Sequence, residues 1–97
     1  MDANIEKLLN DIIKICTNFA DVDEIILYGS RAKGTHLPKS DIDIALKGYN
    51  LAIDELIEQI DEIETLLGID LVDINNCKND LLKKEVEKYG ITLYRKV

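Results

Sequence analysis

The segment from Gly29 to Asp43 reads Gly-Ser-Arg-Ala-Lys-Gly-Thr-His-Leu-Pro-Lys-Ser-Asp-Ile-Asp, so a Gly-Ser pair stands ten residues ahead of an Asp-x-Asp pair. Each pair suggests a chemistry of its own. Gly29 lets backbone approach an anion closely, Ser30 offers a hydroxyl, and Arg31 or Lys33 adds positive charge, so the first pair suits a phosphate tail. In the second, Asp41-Ile42-Asp43-Ile44-Ala45-Leu46 alternates polar with apolar. If this is a strand, both carboxylates share one face while Ile42, Ile44 and Leu46 take the other. Same-face neighbours on a strand lie roughly 6.5–7 Å apart. Two such carboxylates can hold a hard cation, Mg²⁺ in particular, which keeps several waters and takes its remaining ligands from phosphate. Two ions about 4 Å apart would clamp the attacking and leaving oxygens of an in-line displacement.

The elements that must position these pairs are legible around them. Ile5, Leu8, Leu9, Ile12, Ile13, Cys16 and Phe19 recur at helical spacing and predict an amphipathic helix over 4–19. Glu24 to Tyr28 is β-rich and leads into the Gly-Ser turn, which opens a first helical turn. Thr35 to Ser40, with the only Pro, is a loop to the Asp-x-Asp strand, and the two strands it joins should pair antiparallel, bringing Gly29 and Ser30 beside Asp41 and Asp43. A second helix is expected from about Leu51 to Leu67, burying Leu56, Ile57, Ile60, Ile63 and Leu67 and stopping at Gly68. Its acids, Asp54 to Glu64, make a solvated face. Ile69 to Ile74 reads as a third strand beside the second, Asp80 to Tyr89 as a short helix, and Ile91 to Tyr94 as a final edge strand or a partner-docking segment. The expected fold is α/β (α+β), a small mixed sheet in the order αββαβα plus a terminal strand, with helices on one face and the acids on the other.

Competing sites are excluded by neighbouring residues. After Asp41 and Asp43 the next EF-hand ligand position is Ala45 and the obligatory Gly position is Leu46. No Gly-Lys-Ser/Thr follows a strand, which removes a P-loop. One His and two scattered Cys cannot build a zinc site. Cys16 fits the apolar stripe of the first helix, and Cys77 has no assigned role. His36 in the loop and Tyr28 before the turn are secondary candidates for ligand contact. Tyr89 and Tyr94 read as structural.

The wording Leu27-Tyr28-Gly29-Ser30-Arg31-Ala32-Lys33-Gly34, followed by Ser40-Asp41-Ile42-Asp43, resembles the signature of the DNA polymerase β-like nucleotidyltransferase superfamily. Within it the chain is most similar to the minimal nucleotidyltransferases, the antitoxin partners of HEPN-domain toxins, and the similarity covers nearly the whole length. The resemblance implies a third carboxylate from a later strand, Asp70 in Ile69-Asp70-Leu71-Val72. Asp73 is the rival, three residues on and therefore on the opposite face, expected at the strand end facing solvent. The family often has Arg where this chain has Lys33. The resemblance further implies transfer of AMP from ATP, with two Mg²⁺ ions, to a tyrosine hydroxyl of a partner HEPN toxin. Gly29, Ser30 and Arg31 would then hold the nucleotide's phosphates, Asp41, Asp43 and Asp70 the metals, and Asp70 would also activate the acceptor. A catalytically silent antitoxin that acts by binding, and transfer to a small-molecule acceptor, are the alternatives.

Composition bounds the rest. The 97 residues fit a single domain over 1–97, with a core but little material for a separate acceptor pocket. A net charge of −7 argues against direct nucleic-acid binding and favours a basic protein partner. Without a basic-then-apolar leader or an apolar run approaching 18 residues, a cytoplasmic chain with no membrane contact is expected.

Overall fold

The computed structural model describes residues 3–97. Helix α1 (Ala3–Phe19) is followed by strand β1 (Val22–Tyr28), the single turn α2 (Ser30–Lys33) and strand β2 (Ile42–Gly48). Helix α3 (Ile53–Asp61), strand β3 (Ile69–Asp73), a 3₁₀ turn (Ile74–Asn76), helix α4 (Asp80–Tyr89) and strand β4 (Ile91–Arg95) complete the order. The strands form one mixed sheet ordered β3-β2-β1-β4, in which β1 pairs antiparallel with β2 and β4 while β2 and β3 run parallel. The fold class is the expected one, and Ile91 onward is an edge strand of the sheet.

Two apolar layers hold the sheet. On one face Ile25, Leu27, Ile42, Ile44 and Leu46 pack against Leu8, Leu9, Ile12 and Cys16 of α1 and against Leu56 and Ile60 of α3. On the other, Ile26, Tyr28 and Ala45 pack against Ile74 and Val86. The expectation that the helices share one face therefore holds for α1 and α3 and fails for α4. The reason lies in β1 itself: Ile25 to Tyr28 are apolar without alternation, and a central strand of that kind is covered on both sides. Burial raises the Cys16 thiol to about 11, which keeps it a neutral core group.

The second helix is shorter than expected. It stops at Asp61, where the Glu62 and Ile63 amides bond to Gln59 and Ile60 carbonyls in the tighter 3₁₀ pattern. Its last turn holds no basic residue, and the Asp61, Glu62 and Glu64 carboxylates sit unfavourably at the negative end of a helix dipole. Beyond it the chain turns so that Ile63 and Leu67 still touch the core, whereas Leu66 is fully exposed and Ile57, expected in the buried stripe, is 37 % exposed. Among the described residues no helix is long and apolar enough to cross a membrane.

Candidate active site

The β1–β2 pairing sets Tyr28 opposite Asp43, so the turn that follows β1 begins directly over a carboxylate. Gly29 is required there twice over. Its φ of 75° lies in the region L side chains avoid, and a Cβ at this position would run into the Asp43 carboxylate. The turn is then pinned by the Lys33 amide on the Gly29 carbonyl (3.1 Å) and the Thr35 amide on the Ser30 carbonyl (3.0 Å), closing at Gly34 in the left-handed conformation. Replacing Gly29 by Ala should cost about 1–2 kcal/mol of stability from backbone strain alone, seen as a lowered melting temperature.

Asp41 immediately precedes β2, and Asp41 and Asp43 flank the fully buried Ile42. The parallel register aligns Asp43 with Asp70 on the adjacent strand. Asp41 is placed from the same direction: the Ile42 amide donates to the Gly68 carbonyl at 2.8 Å, and a Cβ on Gly68 would lie 2.5 Å from Asp41 Oδ1. The fold thus brings Gly29, Asp41, Asp43 and Asp70 together at one end of β2. Asp73 aligns with Leu46, on the face opposite Asp70, where it accepts a 2.7 Å hydrogen bond from Asn76 Nδ2. Its other oxygen is buried rather than facing solvent as expected, and Asp73 terminates β3 rather than joining the carboxylates.

The electrostatics follow from that crowding. Asp43 is half-buried, and its carboxyl is raised above the usual aspartate range by desolvation first, then by the charges of Asp70 and Asp41, a hydrogen bond with Asp70, and the charge of Glu85. The Tyr28 hydroxyl, desolvated and facing the same negative groups, is pushed up to about 12. Among the described residues no three carboxylate, His or Cys side chains converge into a ready cation cage. The three aspartates are coupled without closing around a point, which suits a cation whose shell is completed by phosphate oxygens and water. Their hard oxygen donors and mutual repulsion fit Mg²⁺.

The raised Asp43 has a testable sign. Below the ordinary aspartate value both folded and unfolded chains carry this proton, and above Asp43's raised value neither does. Between the two the folded state binds more protons, so stability falls as pH rises through that window. Melts in chelator at low salt should show this decline in the wild type, and the difference from Asp43→Asn, which removes the group, should trace it.

Arg31 does not face the carboxylates. It is only 9 % exposed, its Nε and Nη2 donate to the Ser40 carbonyl at 3.1 and 2.9 Å, and Nη2 also reaches the Pro38 carbonyl at 3.2 Å. The guanidinium therefore latches α2 to the loop that delivers Asp41, which differs from the phosphate-facing position expected of it. Lys33 is the cation on the acidic side: its Nζ lies 2.6 Å from Glu85 Oε1 and 5.6 Å from the centre of the Tyr89 ring. Glu85 precedes Val86 on α4 and reaches this side only because α4 packs on the second face of the sheet, so its position in the sequence carries no local signal for the site. His36 and Lys39 are exposed in the loop.

Residues 10–97 match the family described as polymerase beta nucleotidyltransferase. A Methanocaldococcus jannaschii chain provisionally named a protein adenylyltransferase, MJ1379, is 31 % identical over 91 residues, spanning 89 % of this chain and 91 % of its own. Among solved structures, one of a toxin–antitoxin complex with AMP-PNP superimposes with a TM-score of 0.69 at 30 % identity, covering 90 % of this chain and 73 % of that one. One of a tri-AMPylated Shewanella oneidensis HEPN toxin with MNT antitoxin superimposes with a TM-score of 0.66 at 26 % identity, covering 94 % and 72 %. With the Gly-Ser turn and the Asp-x-Asp strand set side by side on the matching sheet, this chain belongs to the polymerase β nucleotidyltransferase family.

Proposed function

We propose that this chain, acting as one domain over residues 1–97, is a Mg²⁺-dependent adenylyltransferase antitoxin that moves AMP from ATP onto a tyrosine of a HEPN toxin. The observation that carries the reading is the register of Asp43 beside Asp70 with Gly29 facing Asp43, because it sets the Gly-Ser turn directly against a carboxylate cluster. The neighbouring structures add the acceptor: one contains a HEPN toxin carrying AMP groups together with an MNT antitoxin, and another contains AMP-PNP.

In this reading Gly29 keeps the site open, and the Ser30 hydroxyl and turn amides hold the β- and γ-phosphates. Lys33 lies on the side where it can exchange its partner Glu85 for phosphate charge. Asp41, Asp43 and Asp70 would hold Mg²⁺, which when bound supplies charge neutralisation at the phosphates. The tyrosine oxygen forms its bond to the α-phosphorus, the bond from that phosphorus to the β-phosphate's bridging oxygen breaks, and pyrophosphate leaves. Asp70, exposed at the rim of the cluster, takes the hydroxyl proton. The added phosphate and adenosine bring charge and bulk to the toxin surface, which would obstruct its function. The net charge of −7 leaves no broad electrostatic footprint for nucleic acid.

Intact mass of the co-purifying partner tests the reading, after incubation with ATP and Mg²⁺. A partner heavier by whole AMP units with the wild type alone, and not with Asp41→Asn/Asp43→Asn, is the expected result. An unmodified partner in a tight complex makes the chain a binding antitoxin. No partner, with modification of a small acceptor instead, moves the transfer to small molecules.

A further inference from the structure

A cleft of about 590 Å³ opens at the same end of the sheet but on the α1 face, away from Asp43 and Asp70. Its walls come from three separate segments: Ile5 of α1, Pro38 and Lys39 of the loop before Asp41, and Leu66 and Leu67 of the turn after α3, with Leu27 lining it from β1. The lining is mainly apolar. Leu66 is fully exposed although its turn is ordered by the Thr65 hydroxyl, which accepts the Leu67 amide at 3.1 Å. Leu37, in the neighbouring loop, is 71 % exposed. Large apolar groups held in water around a cleft mark a surface awaiting a partner.

The charge around this cleft runs against the rest of the molecule. The chain has 19 acidic and 12 basic residues, yet the charged or titratable groups among the described lining residues are Arg31, His36 and Lys39, with no carboxylate. Arg31 in its wall is the same guanidinium that holds Ser40, and the Leu66–Leu67 turn continues into Gly68, which abuts Asp41. Through Ser40 and Gly68 the walls of the cleft are thus tied to the backbone around Asp41.

We propose that this cleft docks the protein acceptor through a segment of apolar residues flanked by Asp or Glu, anchored between Leu66 and Lys39, so that the adjoining acceptor hydroxyl reaches the carboxylates over Gly68. The proposal rests on the reading of the chain as a protein-modifying transferase, and it makes the acceptor's docking determinant acidic although the chain as a whole is acidic. Leu66 and Lys39 are both exposed, so changing them leaves the core intact.

Two short synthetic peptides with the same Leu- and Phe-containing centre, one flanked by Glu and the other by Lys, serve as probes in methyl NMR titrations. The acidic peptide should shift the Ile5, Leu27, Leu66 and Leu67 methyl signals, bind less well at high salt, and lose about tenfold in affinity with either Leu66→Asp or Lys39→Glu. In transfer assays with the protein acceptor, Leu66→Asp should raise the acceptor's KM about tenfold and leave the KM for ATP unchanged. Equal binding of the basic peptide, no shift in those methyls, or an unchanged acceptor KM overturns the proposal. So does a shift of the same methyls by ATP alone, which would put the nucleotide in the cleft. The peptide titration gives its answer even where no partner is modified, so failure of the docking site and failure of the transfer reading are told apart.

Discussion

Asp41→Asn with Asp43→Asn should lower nucleotidyl transfer by at least about a thousandfold, the scale lost when preorganised charge at a reacting phosphate is removed, while leaving the protein as stable as before or more so. The two halves of the outcome have one cause. Asp43 lies half-buried against Asp70, with Asp41 adding to the same negative field, and its carboxyl is raised because ionising it there is unfavourable. An amide keeps the size of the side chain and can donate to a neighbouring carboxylate, so the fold is relieved of repulsion just as the site loses its cation donors. Circular dichroism melts in chelator give the stability half, and single-turnover transfer with radiolabelled ATP gives the catalytic half. Adding Mg²⁺ should raise the melting temperature of the wild type and not of the double variant, since only a state with a binding site gains from the ion. A double variant that melts lower than wild type without metal would mean the carboxylates are structural, and the site assignment would fall with it.

What the sequence made readable, and what it hid, divides along a physical line. The Gly-Ser and Asp-x-Asp pairs were readable because their placement rests on backbone conformation and strand alternation, both local properties. So was α1, whose apolar stripe has a single face. The placement of α4 was hidden because Val86 and Leu82 form a short stripe that fits either side of a sheet, and only the unbroken apolar run Ile25 to Tyr28 disclosed a second buried face. The true end of α3 was hidden for a different reason. Ile63 and Leu67 continue the helical spacing and do reach the core, yet they reach it from a turn, because a helix ending in acids without a basic residue gives up its last turns. Arg31 shows a third limit. Its charge was visible, but which groups its five N–H donors meet depends on a loop closing back from seven to nine residues along the chain.

That closure gives the second large effect. Arg31→Ala should cost about 2–4 kcal/mol, since it strips a charged donor from two carbonyls and leaves a gap where a nearly buried stem packed. In a domain of this size the melting temperature should fall by roughly 10 °C or more. The activity left in the folded fraction, measured well below the melting point, separates two roles. If Arg31 neutralises phosphate, the KM for ATP rises, salt shrinks the difference from wild type by screening, and Arg31→Lys restores most of it because the charge is kept. If it is a latch, kcat falls about a hundredfold as Asp41 loses its fixed distance from the Gly-Ser turn, the KM for ATP changes little, and Lys fails to rescue because a single ammonium cannot reproduce the fork that spans Pro38 and Ser40. The three bonds to backbone carbonyls favour the latch, and Lys33, on the acidic side against Glu85, is then the cation left to meet the phosphates.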